Sequence, residues 1–208
     1  MSTSKKYTSP NSMRTALEER LKSESRSSGR DLMRLRRHVA FDRFLARIFS
    51  DDTPGLVAKG GYSLELRIHT ARTTKDVDFS FRGNLNGYWT GNPEDLQLFL
   101  TEKANVDLQD FFIFSVGRAS LDLENAPYGG FRFPIEATMA GRRFDFFSID
   151  IAAGDAWFEP HEKLETHNWL GFAGIPPATV PVISLEQQFA HSRETEKIHG
   201  SKTWWIWC

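Results

Sequence analysis

Apolar positions change period along this chain, and the changes mark its elements. Met13, Leu17 and Leu21 recur at i, i+4 and i+8, which predicts a helix from Ser12. A Ser-rich stretch, Ser23 to Gly29, predicts a break. A longer helix is predicted from about Asp31 to Phe49, with Leu32, Leu35, Val39, Phe41, Phe44, Leu45, Ile48 and Phe49 as its apolar stripe. Its other face carries Arg30, Arg34, Arg36, Arg37, Arg43 and Arg47. These arginines suit either an RNA-contacting face or a solvated surface whose alkyl stems cover a neighbour, and the interspersed Asp31 and Asp42 favour the second.

Asp51 to Gly55 reads as a turn, Leu56-Val57-Ala58 as a short buried strand, and Ser63 to His69 as a helix. Val77 to Phe81 reads as a strand. Asn92-Pro93-Glu94-Asp95 has the chemistry of a helix start, with proline in the first position and acids in the first turn, and that helix runs to about Lys103. The period then becomes two. Phe111 to Ser120, Phe131 to Met139 and Arg143 to Ala152 predict an antiparallel meander. Strict alternation in its last strand puts Phe144, Phe146, Ser148 and Asp150 on one face, and Asp145, Phe147, Ile149 and Ile151 on the other.

Composition narrows the function classes. The 208 residues are enough for one domain with a sizeable core, and 40% hydrophobic and 13% aromatic content suit a globular chain. The net charge of -1 gives no global field for nucleic acid, so any such contact rests on local patches. The lone cysteine, Cys208, excludes a disulfide within the chain and points to a reducing cytoplasm. The N-terminus lacks the apolar core of a signal peptide, and no run approaches membrane-spanning length. His38, His69, His161, His167, His191 and His199 show no metal-ligand spacing, and no G-x-S-x-G element is present.

The chemistry concentrates between Ala58 and Phe81. Gly60 and Gly61 follow an apolar run, Ser63 follows them, and Asp76-Val77-Asp78 closes the segment. Carboxylates two apart on a strand project side by side, within reach of one cation. A glycine turn lets a phosphate approach the backbone. Alone, a D-x-D is commonly a solvated strand edge and a Gly-Gly pair commonly a turn. Together they are the equipment of phosphoryl or nucleotidyl transfer.

Lys59-Gly60-Gly61, Ser63, Leu64, Leu66 and Arg67, followed by Arg72, Thr74, Asp76, Val77 and Asp78, resemble the signature of the AbiEii/AbiGii nucleotidyltransferase-like toxins, within the polymerase-beta-like superfamily. Ile149-Asp150-Ile151-Ala152-Ala153-Gly154-Asp155 resembles that family's D-I-G-F-G-D segment, which favours Asp150 over Asp145 as a third acid and gives Asp155 a loop-supporting role. The resemblance implies an α+β nucleotidyltransferase fold, in which a mixed or antiparallel sheet carries the acidic site and N-terminal helices flank it. It implies a catalytic and metal-binding triad of Asp76, Asp78 and Asp150, and a nucleotide-binding set of Lys59, Gly60, Gly61 and Ser63. The cofactor would be Mg²⁺ or Mn²⁺, and the substrate an NTP. The acceptor hydroxyl would belong to RNA, with tRNA as one case. The setting would be a bacterial toxin–antitoxin system linked to phage defence, with an antitoxin encoded nearby.

The C-terminus departs from the family pattern. Ile183 to Ala190 resembles the start of a family helix, but Glu196-Lys197-Ile198-His199 arrives late, and Trp204, Trp205 and Trp207 crowd the end. One base inserted into a back-translation of Lys202 to Cys208 yields KDLVDLV, the family's continuation. The expectation is therefore a flexible segment over 1–11, a nucleotidyltransferase-like domain over 12–190 and a truncated or frameshifted remnant over 191–208. The alternative to a working enzyme is a catalytically impaired remnant that only binds nucleotide, RNA or a protein partner.

Overall fold

The computed structural model describes residues 7–51, 55–68, 74–81, 92–122, 130–153 and 161–189. Arg72, Asp155, Lys197 and the 191–208 segment lie outside the described residues.

Helix α1 spans Pro10–Ser28. It starts two residues ahead of the predicted start because Ser9 caps it and Pro10 supplies the preset first turn. It also runs through the expected Ser-rich break. Ser27 and Ser28 turn their hydroxyls back onto the Glu24 carbonyl, at 3.1 and 2.7 Å, so the serines stay inside the helix. The stop comes at Gly29, in the left-handed region at φ 71°. Helix α2, Leu32–Ile48, is capped by the Asp31 side chain and buries the predicted stripe from Leu35 to Ile48, with Leu32 and Phe49 partly buried at its ends.

The sheet comprises β1 (Leu56–Lys59), β2 (Asp76–Phe81), β3 (Phe112–Val116), β4 (Leu121–Asp122), β5 (Gly130–Met139), β6 (Arg142–Ala153), β7 (Glu162–Glu165) and β8 (Thr179–Val182). Its order is β3-β5-β6-β2-β1-β8-β7, with β4 pairing β5. The predicted meander is present as β3, β5 and β6, all antiparallel, and β6 joins the acid-bearing strand β2 in parallel. The sheet is therefore mixed, as expected. Helices α3 (Gly60–Arg67) and α4 (Pro93–Ala104), a 3-10 turn at Gly171–Ala173 and a helical segment over 185–189 complete the described elements.

One face of the sheet is the core. Val77 and Phe79 of β2, Phe133 and Ile135 of β5, and Phe147, Ile149 and Ile151 of β6 are all buried. Helix α2 lies over them, with Phe41 edge-on to Phe147 at 4.8 Å and Phe44 edge-on to Phe114 at 5.3 Å. Arg14 of α1 grips the β5–β6 hairpin through the carbonyls of Met139, Arg142 and Arg143, at 2.8–2.9 Å.

A bulge corrects the predicted alternation in β6. The register shifts between Ala137 and Thr138 of β5, leaving Phe144 as the extra residue between Arg143 and Asp145. Phe144 therefore joins the core side, packing edge-on against Phe112 at 5.0 Å. It does not share the face of Phe146, which stays half exposed.

The α2 arginines divide: Arg43 and Arg47 are buried, whereas Arg34, Arg36 and Arg37 stay partly exposed. Arg47 is 1% exposed and donates two hydrogen bonds to Asp110, at 2.9 and 2.7 Å, while Arg43 donates a third at 2.7 Å. Burial alone would push the Asp110 carboxyl up, but hydrogen bonds and charge from Arg47 and Arg43 overcome it and hold the group below its usual range. Arg36 pairs with Glu18, Arg37 with Asp145 and Arg34 with Glu65.

Candidate active site

Strand register assembles the site. Lys59 of β1 stands opposite Asp78 of β2, Asp78 stands opposite Asp150 of β6, and Asp150 stands opposite Arg132 of β5. Four adjacent strands thus present a row of cation, acid, acid and cation. Asp76 lies one pleat along on β2, opposite Ser148. Since Val77, Ile149 and Phe133 point into the core, the acids occupy the other face of the sheet. Asp76, Asp78 and Asp150 therefore share one face of two neighbouring strands.

The acids crowd one another. Burial, then the Asp150 charge, pushes the Asp78 carboxyl up to about 7 despite Lys59 opposite. Burial also raises Asp76, with Asp150 adding to the shift and Arg132 opposing it. Such a row has an unmet demand for positive charge. Arg132, absent from the expected set, meets part of it. Its Nε donates to Asp150 Oδ1 at 2.7 Å and its Nη2 to Oδ2 at 2.6 Å, while Nη2 lies 3.6 Å from Asp76 Oδ2. The one sequence signal for Arg132 is that it is the lone cation of its strand, set between Phe131 and Phe133.

The glycine pair sits in the first turn of α3, three residues ahead of the predicted helix start at Ser63. Gly60 is at φ 66°, a conformation few side chains tolerate. A Cβ there would collide with Asp78 Oδ2 and lie 3.0 Å from its Cγ. A Cβ on Gly61 would lie 3.0 Å from Cβ of Thr74, whose hydroxyl donates to the Asp76 carbonyl at 2.8 Å. Both glycines are thus shaped to the acid strand. The helix begins without a side-chain cap.

Ser63 is fully buried, with its hydroxyl 2.9 Å from the Gly60 carbonyl and also against Gln188 Oε1. Gln188 Nε2 donates to the same carbonyl at 2.6 Å, tying the helical segment 185–189 to the turn. Three more contacts fix α3. Tyr62 donates to Asp42 at 2.5 Å, Thr74 N donates to Glu65 at 3.1 Å, and Arg67 donates to the Ile183 carbonyl at 2.6 Å.

The profile of a family described as nucleotidyl transferase AbiEii toxin, type IV TA system, matches residues 43–191. The chain belongs to the AbiEii family. The matched stretch contains the glycine turn, all three acids and Arg132. Among solved structures, MenT4, a nucleotidyltransferase toxin from Mycobacterium tuberculosis H37Rv, superposes with a TM-score of 0.58 at 20% identity, covering 85% of this chain and 59% of that one. JHP933 from Helicobacter pylori gives a TM-score of 0.47 at 16% identity, covering 74% of this chain and 53% of that one. No curated protein matches the chain. The AbiEii chain therefore spans under two thirds of the MenT4 chain, and that likeness establishes the nucleotidyltransferase-toxin fold.

A divalent cation fits the donor chemistry of the acid row, because carboxylate oxygens suit Mg²⁺ or Mn²⁺. As the side chains stand, however, no three His, Cys, Asp or Glu among the described residues converge to hold a metal ion. The group that converges on the carboxylates is Arg132.

Proposed function

We propose that this AbiEii chain is a metal-dependent nucleotidyltransferase that moves NMP from an NTP to an acceptor hydroxyl. The observation that supports it most directly is the register match of Asp78 with Asp150 on parallel neighbours, with the Gly60 turn packed against Asp78. Asp76, Asp78 and Asp150 would hold Mg²⁺ or Mn²⁺, which would neutralise charge on the triphosphate. Lys59 and the backbone of Gly60 and Gly61 receive the phosphates at the uncapped start of α3. Ser63 acts by shaping that turn, since its hydroxyl is spent on Gly60 and Gln188.

In the reaction the acceptor oxygen forms a bond to the α-phosphorus, and the bond from that phosphorus to the bridging oxygen of the β-phosphate breaks. Pyrophosphate leaves. Asp150 orients the acceptor and accepts its proton. RNA, with tRNA as the first case, is the acceptor. The chain serves as the toxin of a cytoplasmic toxin–antitoxin pair in phage defence, restrained by a cognate antitoxin. No helix among the described residues is long and apolar enough to cross a membrane.

Transfer of label from α-³²P NTPs to total tRNA with Mg²⁺ tests this reading. Wild-type protein should label RNA, and Asp78→Asn should reduce labelling by about 100-fold or more, the scale of losing one charge-stabilising group in a closed site. Nucleotide binding without transfer by the wild type would instead identify a binding remnant.

A further inference from the structure

Arg132 is a charged group at the site to which the transfer reaction gives no role. Its fork satisfies both oxygens of Asp150, and its Nη2 also faces Asp76. Two of the three carboxylates that would coordinate a cation, Asp150 and Asp76, are therefore already faced by a cation the chain carries itself.

We propose that Arg132 is a built-in competitor for the metal: its guanidinium holds the acid row closed until a divalent cation displaces it, and the freed fork then binds a phosphate of the incoming triphosphate. This rests on the acid row being the metal site.

Exposure decides which partner moves. The Arg132 side chain is 35% exposed and the Asp150 side chain 11% exposed. Asp150 is fixed in the middle of the sheet between β2 and β5, whereas the arginine is long and reaches solvent. It can leave without disturbing the strand that carries it.

Electrostatics decides when it moves. A guanidinium spreads one charge over a planar fork, while a divalent ion concentrates two, so the ion satisfies crowded carboxylates better once its own water is replaced. A polyphosphate supplies oxygen ligands for the ion and a new partner for the arginine. Bidentate pairing suits phosphate as well as carboxylate. Metal and triphosphate therefore bind with positive coupling, and the coupling is reciprocal.

The proposal separates two quantities that a merely structural arginine would move together. Mn²⁺ binding is read by electron paramagnetic resonance, and binding of inorganic tripolyphosphate by calorimetry, for wild type, Arg132→Gln, Arg132→Lys and Asp78→Asn. Thermal midpoints confirm that each variant is folded. Arg132→Gln should bind Mn²⁺ about tenfold tighter, because a charge-assisted competitor is gone, and should bind tripolyphosphate about tenfold more weakly with Mn²⁺ present. Arg132→Lys, which keeps the charge and loses the fork, should fall between. If Asp78→Asn abolishes Mn²⁺ binding while Arg132→Gln leaves it unchanged or weaker, the competitor role is wrong and the metal site stands. Tighter Mn²⁺ with unchanged tripolyphosphate removes the phosphate half. If neither wild type nor Arg132→Gln binds Mn²⁺, the acid row is not a metal site and both readings fall.

Discussion

Gly60 and Asp78 share one space: the side chain that Gly60 lacks is where Oδ2 of Asp78 sits, and a Cβ there would also lie 3.2 Å from the Asp78 Cβ. The glycine turn and the D-x-D pair are therefore two halves of one feature. Absence of a side chain on α3 lets the second acid of β2 rest against the head of the helix, where a phosphate would meet both.

Gly60→Ala should accordingly do two things. It forces a left-handed backbone on alanine, costing about 1–2 kcal/mol, and it displaces the Asp78 carboxylate. In an Asp78→Ala background part of the loss should disappear, with a coupling of about 0.5–3 kcal/mol. Equal losses in both backgrounds, measured by denaturant unfolding, would mean that the backbone alone demands the glycine.

Ser63→Ala should act on stability. The hydroxyl is buried against the Gly60 carbonyl and Gln188, so its removal deletes a buried hydrogen bond to Gln188 Oε1 and costs about 1–3 kcal/mol. A variant with an unchanged melting temperature and weakened nucleotide binding would return Ser63 to the role of a direct phosphate ligand.

Asp110→Ala should be among the most damaging single changes. It removes the partner of two buried guanidinium groups and the acceptor of the Phe112 amide at 3.0 Å, a loss of about 3–5 kcal/mol. Since the folded Asp110 carboxyl is held below its usual 3.8, its contribution is present above that value and lost as pH falls through the lowered one. Acid unfolding should begin at higher pH in any variant that weakens Arg47. An unshifted acid transition in Arg47→Gln would contradict this.

At neutral pH the sign reverses. Burial pushes the Asp42 carboxyl from 3.8 up to about 7, against hydrogen bonds from Tyr62 and Trp169. Between those values the folded chain keeps a proton that the unfolded chain has released, so this group's stabilisation falls as pH rises from about 4 to about 7. Glu65 and Asp78 act in the same sense, and His38, lowered by burial to about 4, in the opposite one. Asp42→Asn should therefore show a smaller stability difference between pH 5 and 8 than wild type. The comparison is of differences, so a constant penalty for the mismatched Trp169 hydrogen bond cancels. An identical pH dependence in the two proteins would show that Asp42 is ionised throughout.

Local order was written in the chain wherever it follows from short-range rules. The 3.6 and 2.0 periods placed α2 and the β5–β6 hairpin, because burial of a stripe or a face needs only the spacing of apolar residues, and the start chemistry of Asn92 to Asp95 placed α4. The glycines, Asp76 and Asp78 stood out because their types and spacings are themselves the signal, whereas Asp150 stood out only through its resemblance to the family's D-I-G-F-G-D segment.

Tertiary structure decided the rest. Serine content predicted a break in α1, but back-bonding to Glu24 keeps the helix intact. Arginine content predicted a surface, but Asp110, remote in sequence, draws Arg43 and Arg47 inside. Above all, the bulge at Phe144 shifts the β5–β6 register by one residue. Continuing the register of Met139 with Arg142 without it would set Arg132 opposite Ile149. With it, Arg132 faces Asp150, and a core aromatic changes sides. A one-residue slip exchanges the faces of a strand, and only the packing of both faces at once selects the slip. That is why the acids could be read from the sequence while the cation that holds them could not.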